Sequence, residues 1–485
     1  MVKILHLSDI HMGSGFSHGR IDPQTGLNTR LLDFTAALER CIDRAISEPV
    51  DLVLFGGDAF PDATPLPMVQ EAFAQQFRRL ADAQIPTVLL VGNHDQHAQG
   101  RGGASLCIYR TLGVPGFVVG DTLALHRLET SQGPVQVLTL PWLTRSTLLT
   151  KRQTEGLSLA EVGALLLDRL QAALEGEIRK LDPDQPTILL AHLMSDRAQL
   201  GAERMLGVGK GFSIPLSTIT RPEFDYVALG HVHKHQNLNP NNQPPVVYPG
   251  SIERVDFSEE NEEKGYVLVT IEPGERGQRQ TQWEFCPLPA RPFRTLRVDL
   301  ADCDNPLAEL LGAIDPAAIE GAVVRLVYRV RAEQLHQIEL AAVRDRLAAA
   351  HTYSLQAELI SQLARPRLPN LDATTLDPLL ALEAYLGERS DLKNLADDMI
   401  EAARDLLGYA SPAIVVNLPE PATAQTANPD CPDPESSPGQ NPAATSTAEL
   451  ATDADDGEPT SPSTNGPDRA AQSPAIDRSG QLRLL

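Results

Sequence analysis

The chain has 485 residues, 42% hydrophobic and 22% charged, with 34 glycines and 38 prolines, which suits two or three globular domains with a Pro-rich stretch alongside. No apolar run approaches the ~20 residues that span a bilayer, and His6, Asp9 and His11 interrupt any signal-like core, so the reading is a cytoplasmic protein with no membrane segment. A net charge of −23 argues against a broad basic surface for nucleic acid, and five scattered cysteines without a CxxC pair argue against a disulfide framework or a thiolate zinc site.

Residues 1–272 alternate short apolar runs with helical patterns, the signature of a layered α/β domain. The runs Lys3–Leu7, Asp51–Phe55, Thr87–Val91, Thr187–Leu190 and Asp225–Leu229 predict strands, with further β-like stretches at Val246–Tyr248 and Tyr266–Ile271. Leu31–Ala45 and Met68–Ala81 read as amphipathic helices. The stripe Val69, Phe73, Phe77 and Leu80 on the second would serve a homodimer or cover the sheet.

A small α+β domain follows over 291–360, with strands at Phe293–Leu300, Ala322–Val330 and Tyr353–Glu358 and helices at Pro306–Ala313 and Ala332–Ala349. Residues 376–409 predict two helices joined near Gly387, the second gathering Leu392, Leu395, Met399, Ala403 and Leu406 on one face. Residues 417–485 are rich in Pro, Ser, Thr, Ala and Asp, and such a composition predicts a disordered acidic tail.

Five apolar runs end in side chains able to bind a metal: Asp9 and His11, then Asp58, then Asn93 and His94, then His192, then His231 and His233. Sites in α/β sheets form beyond the carboxyl ends of strands, so five segments deliver donors to one edge of the fold. Asp9 and His11, like His231 and His233, are two apart and, if extended, project to one side. Glycines at 56, 57, 92 and 230 let the backbone crowd the ions or take strained turns. A set of Asp, Asn and His without thiolate suits Mn²⁺ or a similar octahedral ion, and Asp58 is the natural bridge of a pair acting on phosphorus. Each motif alone has an ordinary explanation, Gly-Gly-Asp being a common strand-to-turn sequence and a lone histidine usually a satisfied core residue. Their joint occurrence at successive strand ends is what points to a binuclear centre.

Through Asp9-Ile10-His11, Gly56-Gly57-Asp58, Gly92-Asn93-His94-Asp95, His192 and Gly230-His231-Val232-His233 the chain resembles the calcineurin-like metallophosphoesterases. Tyr248-Pro249-Gly250-Ser251-Ile252-Glu253-Arg254, Asp256-Phe257 and Glu263-Lys264-Gly265-Tyr266 make it similar to their SbcD-type nuclease subunits. The resemblance implies a layered β-sandwich flanked by helices, followed by a cap domain and partner-binding helices. It implies two ions, one held by Asp9, His11, Asp58 and His233 and the other by Asp58, Asn93, His192 and His231. His94 would then stabilise the transition state or protonate the leaving 3′ oxygen, a task suited to an imidazole. Some relatives place a second histidine three residues after the bridging aspartate; here that position is Pro61, so Asp62 and Asp95 are the candidates to orient His94. Ser251 and Arg254 are expected at the substrate. The implied partners are DNA, an SbcC-type ATPase bound by the helix face at Leu392–Leu406, and a second copy of the chain. Against this stand a phosphatase or cyclic-nucleotide phosphodiesterase using the same site on a small substrate, and a metal-free scaffold, which the complete donor set argues against.

Overall fold

The computed structural model describes residues 1–97, 103–144, 154, 156–199, 201, 213–273, 279–360, 378–388, 392 and 395–407. The expected tail at 417–485 lies outside them.

Two six-stranded sheets pack face to face. The first is built from β1 (Val2–Leu7), β2 (Leu52–Phe55), β3 (Thr87–Leu90) and β4 (Phe117–Gly120) in parallel, continued antiparallel by β11 (Lys264–Pro273) and β12 (Arg279–Leu288). The second runs β5 (Ala124–Thr130), β6 (Gly133–Leu140), β7 (Thr187–His192), β8 (Tyr226–Gly230), β10 (Val246–Tyr248) and β9 (Gln236–Asn237), with β6, β7, β8 and β10 parallel.

Both faces of the parallel strands are apolar because both are covered, which is why they read as unbroken hydrophobic runs. Ile4, Leu52, Leu54, Val88 and Leu90 meet Val137, Ile188, Leu190, Tyr226 and Ala228 between the sheets. Their alternating neighbours Leu5, Val53, Phe55 and Leu89 face outward onto α1 (Thr29–Ser47) and α2 (Pro67–Asp82). On the far side Leu189, Val227 and Leu229 pack under α3 (Leu159–Ile178), whose start is set by a Ser158/Glu161 capping box.

Several expectations change here. The stripe Val69, Phe73, Phe77 and Leu80 is buried against the first sheet inside the protomer, so it offers no surface to a second copy. Strands β4, β5, β6 and β12 and helix α3 were not anticipated, since their partly exposed or mixed patterns lack the continuous apolar signal of the central strands. Because β12 pairs with β11 over its whole length, the sandwich extends past the expected limit at residue 272.

After the sandwich come the parallel strands β13 (Phe293–Asp299), β14 (Val323–Arg331) and β15 (Thr352–Ile360), with α4 (Pro306–Gly312) and α5 (Leu340–Arg346) closing their core, all within one compact unit with the two large sheets. The helix expected over Ala332–Ala349 is divided into a 3-10 turn at Ala332–Gln337 and α5. Charge ties this region to the sandwich. Arg291 grips Asp33 through Nε at 2.6 Å and Nη2 at 2.5 Å, and His351 Nε2 lies 2.8 Å from Thr29 Oγ1.

The described residues from 378 onward belong to a separate unit. Within it α6 (Pro378–Glu388) and α7 (Ala396–Leu407) are linked by Arg404 Nη2 to Glu383 Oε1 at 3.4 Å. Leu395 and Met399 are 53% and 40% exposed; the side chain of Leu406 lies outside the described part. No helix among the described residues is long and apolar enough to cross a membrane.

Candidate metal centre

The carboxyl ends of β1, β2, β3, β7 and β8 meet at one edge of the sandwich, and with them the anticipated donors. Asp9, His11 and His233 each bring a ligand atom within 4.8 Å of the others, as do Asp58, His192 and His231. Asp58 lies between these groups, its Oδ2 3.7 Å from His11 Nε2 and 3.3 Å from His192 Nε2. Asn93 Oδ1 completes the second group at 2.9 Å from both His192 Nε2 and His231 Nδ1.

The backbone that achieves this is not extended. Asp9 (φ 53°), His11 (φ 47°), Asp58 (φ 58°) and His231 (φ 105°) all take positive φ, a region costing about 1–3 kcal/mol for residues with a Cβ and held only where the surroundings over-determine it. The expectation that Asp9 and His11 project together from an extended strand is therefore replaced by two left-handed turns. Hydrogen bonds lock them: Asp9 N donates to Gly57 O and His11 N to Asp58 O, both at 3.0 Å, while His231 N donates to the Asp9 carboxylate at 3.0 Å. Gly92 is required, because a Cβ there would overlap Asp58 Oδ1.

Asp95 clamps the β2 and β3 loops. Its buried carboxylate accepts from Asp58 N and Gly92 N at 2.9 Å and from Ala59 N at 3.1 Å, so it does not orient His94; Asp62 is engaged with Thr64. The ring of His94 is held by Pro61 itself, whose carbonyl accepts from Nδ1 at 2.7 Å. His94 also brings one ring nitrogen within 4.8 Å of ligand atoms of His11 and Asp58.

Hydrogen bonding explains why this arrangement calls for cations. His192 Nδ1 donates to Gly56 O at 2.7 Å and His233 Nδ1 to Glu259 Oε1 at 2.6 Å. In each neutral ring that leaves Nε2 as a bare lone pair. The one on His192 faces the oxygens of Asn93 and Asp58, and the one on His233 sits 3.0 Å from His11 Nε2. A bare imidazole nitrogen facing the Asp58 carboxylate in a buried site needs a positive charge between them. Protons show the same demand: burial opposes charge on His192, yet the Asp58 carboxylate outweighs it and pushes the ring up to about 9. Burial raises Asp9 to about 6, and burial together with the nearby Asp58 raises Asp95 to about 7. Burial, then His192, lowers His231 to about 3. The donor set fits two divalent ions sharing Asp58.

Two expected substrate residues have other tasks. Ser251 is fully buried, with its Oγ 3.5 Å from Glu259 Oε2. Arg254 points its guanidinium at main-chain carbonyls, Nε to Glu259, Nη1 to Ala290 and Arg291, and Nη2 to Glu262, at 2.8–3.3 Å. It fastens the segment after β12 rather than facing a phosphate. Missed from sequence were Glu259, the Pro61 carbonyl and Trp142, whose indole centroid is 4.7 Å from that of His231. Trp142 follows β6, a sixth strand end at the same edge, and that position was the available signal.

Residues 2–235 match the family model described as Calcineurin-like phosphoesterase. A Rhodobacter capsulatus protein, named as the SbcD component of the nuclease SbcCD, is 30% identical over 344 residues, 66% of this chain and 76% of the relative. The chain belongs to the SbcD-type calcineurin-like phosphoesterases. With the clustered His and Asp donors, this makes it a metal-dependent phosphoester hydrolase. Two solved structures are also similar: a Thermus thermophilus protein (19% identity, 58% of this chain and 98% of that one, TM-score 0.32) and a dimetal phosphatase from Danio rerio (10%, 55% and 92%, TM-score 0.32).

Proposed function

We propose that the chain is a two-metal DNA phosphodiesterase, an exonuclease and endonuclease processing DNA ends and hairpins in double-strand-break repair in the cytoplasm, with Mn²⁺ as its ion. One ion is assigned to Asp9, His11, Asp58 and His233 and the other to Asp58, Asn93, His192 and His231. The observation that carries the reading is the convergence of bare imidazole and carboxylate lone pairs on either side of Asp58; the choice of DNA rests on the nuclease relative.

Bound divalent ions supply Lewis acidity and positive charge at the reacting phosphate. The chain's own part is positional. Asp58, pinned at Oδ1 by His94 N (2.8 Å), keeps Oδ2 between the two donor groups. Because its Nδ1 donates to Pro61 O, His94 has Nε2 left to stabilise charge on the phosphate or hand a proton to the leaving 3′ oxygen. Mn²⁺-dependent digestion of end-labelled duplex and hairpin DNA, beside a chromogenic phosphomonoester, tests the reading. Cleavage of the monoester alone would replace it with a phosphatase.

An acidic chain needs help holding DNA, and an SbcC-type ATPase would provide it. The exposed Leu395 and Met399 of the second helical unit are the proposed contact. Replacing both by Glu should leave Mn²⁺-dependent cutting intact and abolish co-purification with the ATPase; unchanged co-purification rejects the contact. A homodimer is proposed on family grounds alone, and sedimentation at micromolar concentration decides it.

A further inference from the structure

The segment that follows His233 carries buried charge at Glu253, Glu259 and Lys264. Asp256 Oδ1 accepts from Ser258 N at 2.7 Å and starts a 3-10 turn, Phe257–Glu259, that brings Glu259 beneath the metal centre. Glu259 has no exposed surface and Lys264 is 1% exposed. One carboxylate oxygen accepts from His233 Nδ1 at 2.6 Å; the other meets Lys264 Nζ at 2.8 Å and Val255 N at 3.0 Å. Lys264 also reaches Glu262 at 2.8 Å and the His233 carbonyl at 3.3 Å. Main chain laces the segment to the same place, Ser251 N donating to His233 O at 3.0 Å and Gly265 N to Ser251 O at 3.3 Å.

A buried ion pair is weak evidence for stability, since an apolar pair of similar volume often serves as well or better. What an apolar pair would not do is hold an imidazole in one tautomer. A carboxylate on the far nitrogen of a metal-binding histidine orients the ring and raises its basicity, and its loss typically weakens metal affinity.

We infer that Glu259 is a positioning residue for the ion assigned to Asp9, His11, Asp58 and His233, fixing His233 with Nδ1 protonated and Nε2 bare, while Lys264 balances its charge. This rests on the proposed reading of His233 as a ligand. It gives Lys264 of the Glu263-Lys264-Gly265-Tyr266 stretch a role behind His233.

The test uses the full chain and Mn²⁺ alone, with no DNA. Glu259→Leu combined with Lys264→Met removes both charges and the acceptor while keeping volume. Calorimetry and electron paramagnetic resonance should show one ion bound roughly 10–100-fold more weakly and the other as in wild type. Glu259→Gln with Lys264→Met keeps an amide oxygen for Nδ1 and should recover part of that loss. Equal weakening of both ions, or no weakening of either, overturns the inference. ¹⁵N-histidine spectra of the metal-free wild type give an independent check that survives a misfolded variant: His233 protonated at Nδ1 supports the role, and protonation at Nε2 overturns it. A wild type that binds fewer than two ions sinks the two-metal reading instead, and the tautomer then decides the role of Glu259.

Discussion

The two halves of the metal centre offer comparable donors but are supported differently. Behind Asp9, His11 and His233 lies a lattice of buried charge, Glu259 paired with Lys264. Behind Asn93, His192 and His231 the described residues form no such lattice: His192 leans on the Gly56 carbonyl, and His231 packs against Trp142, its buried Nε2 without a hydrogen-bond partner among the described residues. Imidazole orientation is thus achieved once by ionic hydrogen bonding and once by main chain and aromatic packing. The first half should therefore respond to changes of charge and the second to changes of volume.

The largest effect should come from Asp58, which both halves share. Asp58→Asn is expected to release both ions and lower DNA hydrolysis by more than about 100-fold, beyond the 10–100-fold typical of residues behind the ligands. His231→Ala, by contrast, should empty only the second half, so metal analysis of the two variants side by side tests whether the halves are separable. Next in size is His94→Ala. Both ions should stay while the rate falls roughly 10²–10⁴-fold, the usual contribution of a positioned proton donor; a wild-type rate would remove His94 from the mechanism. Smallest is Trp142→Ala, expected to weaken the second-half ion alone by about 10-fold, the lower end for residues that orient a ligand. Trp142→Phe should restore binding if ring packing is what matters, and an Mn²⁺ titration that finds the first-half ion weakened instead would erase the distinction between halves.

Much of this was legible in the chain because it is written locally. A buried parallel strand appears as a short apolar run, and a donor at its carboxyl end appears as the polar residue that breaks it, so Asp9, His11, Asp58, Asn93, His192, His231 and His233 stand out without knowledge of any contact. In the third sheet only β14 is a buried run of this kind, whereas β5 and β12, polar on one side, gave no such signal.

Tertiary structure decided everything that depends on a partner distant in sequence. The stripe on α2 has the same spacing whether it meets a second copy or its own sheet, and only the position of the first sheet settles the matter. Ser251 and Arg254 sit in a motif close to His233, yet the fold turns them toward Glu259 and the main-chain carbonyls of Ala290 and Arg291. Asp and His tolerate positive φ better than most residues, but the turns at Asp9, His11, Asp58 and His231 are held because loops from separate strands hydrogen-bond one another into place. Sequence by itself determined which atoms are present at the strand ends. How those atoms are aimed was decided by Pro61, Trp142 and Glu259, since a ring's orientation depends on what touches its other nitrogen or its face, and that is a property of packed space rather than of spacing along the chain.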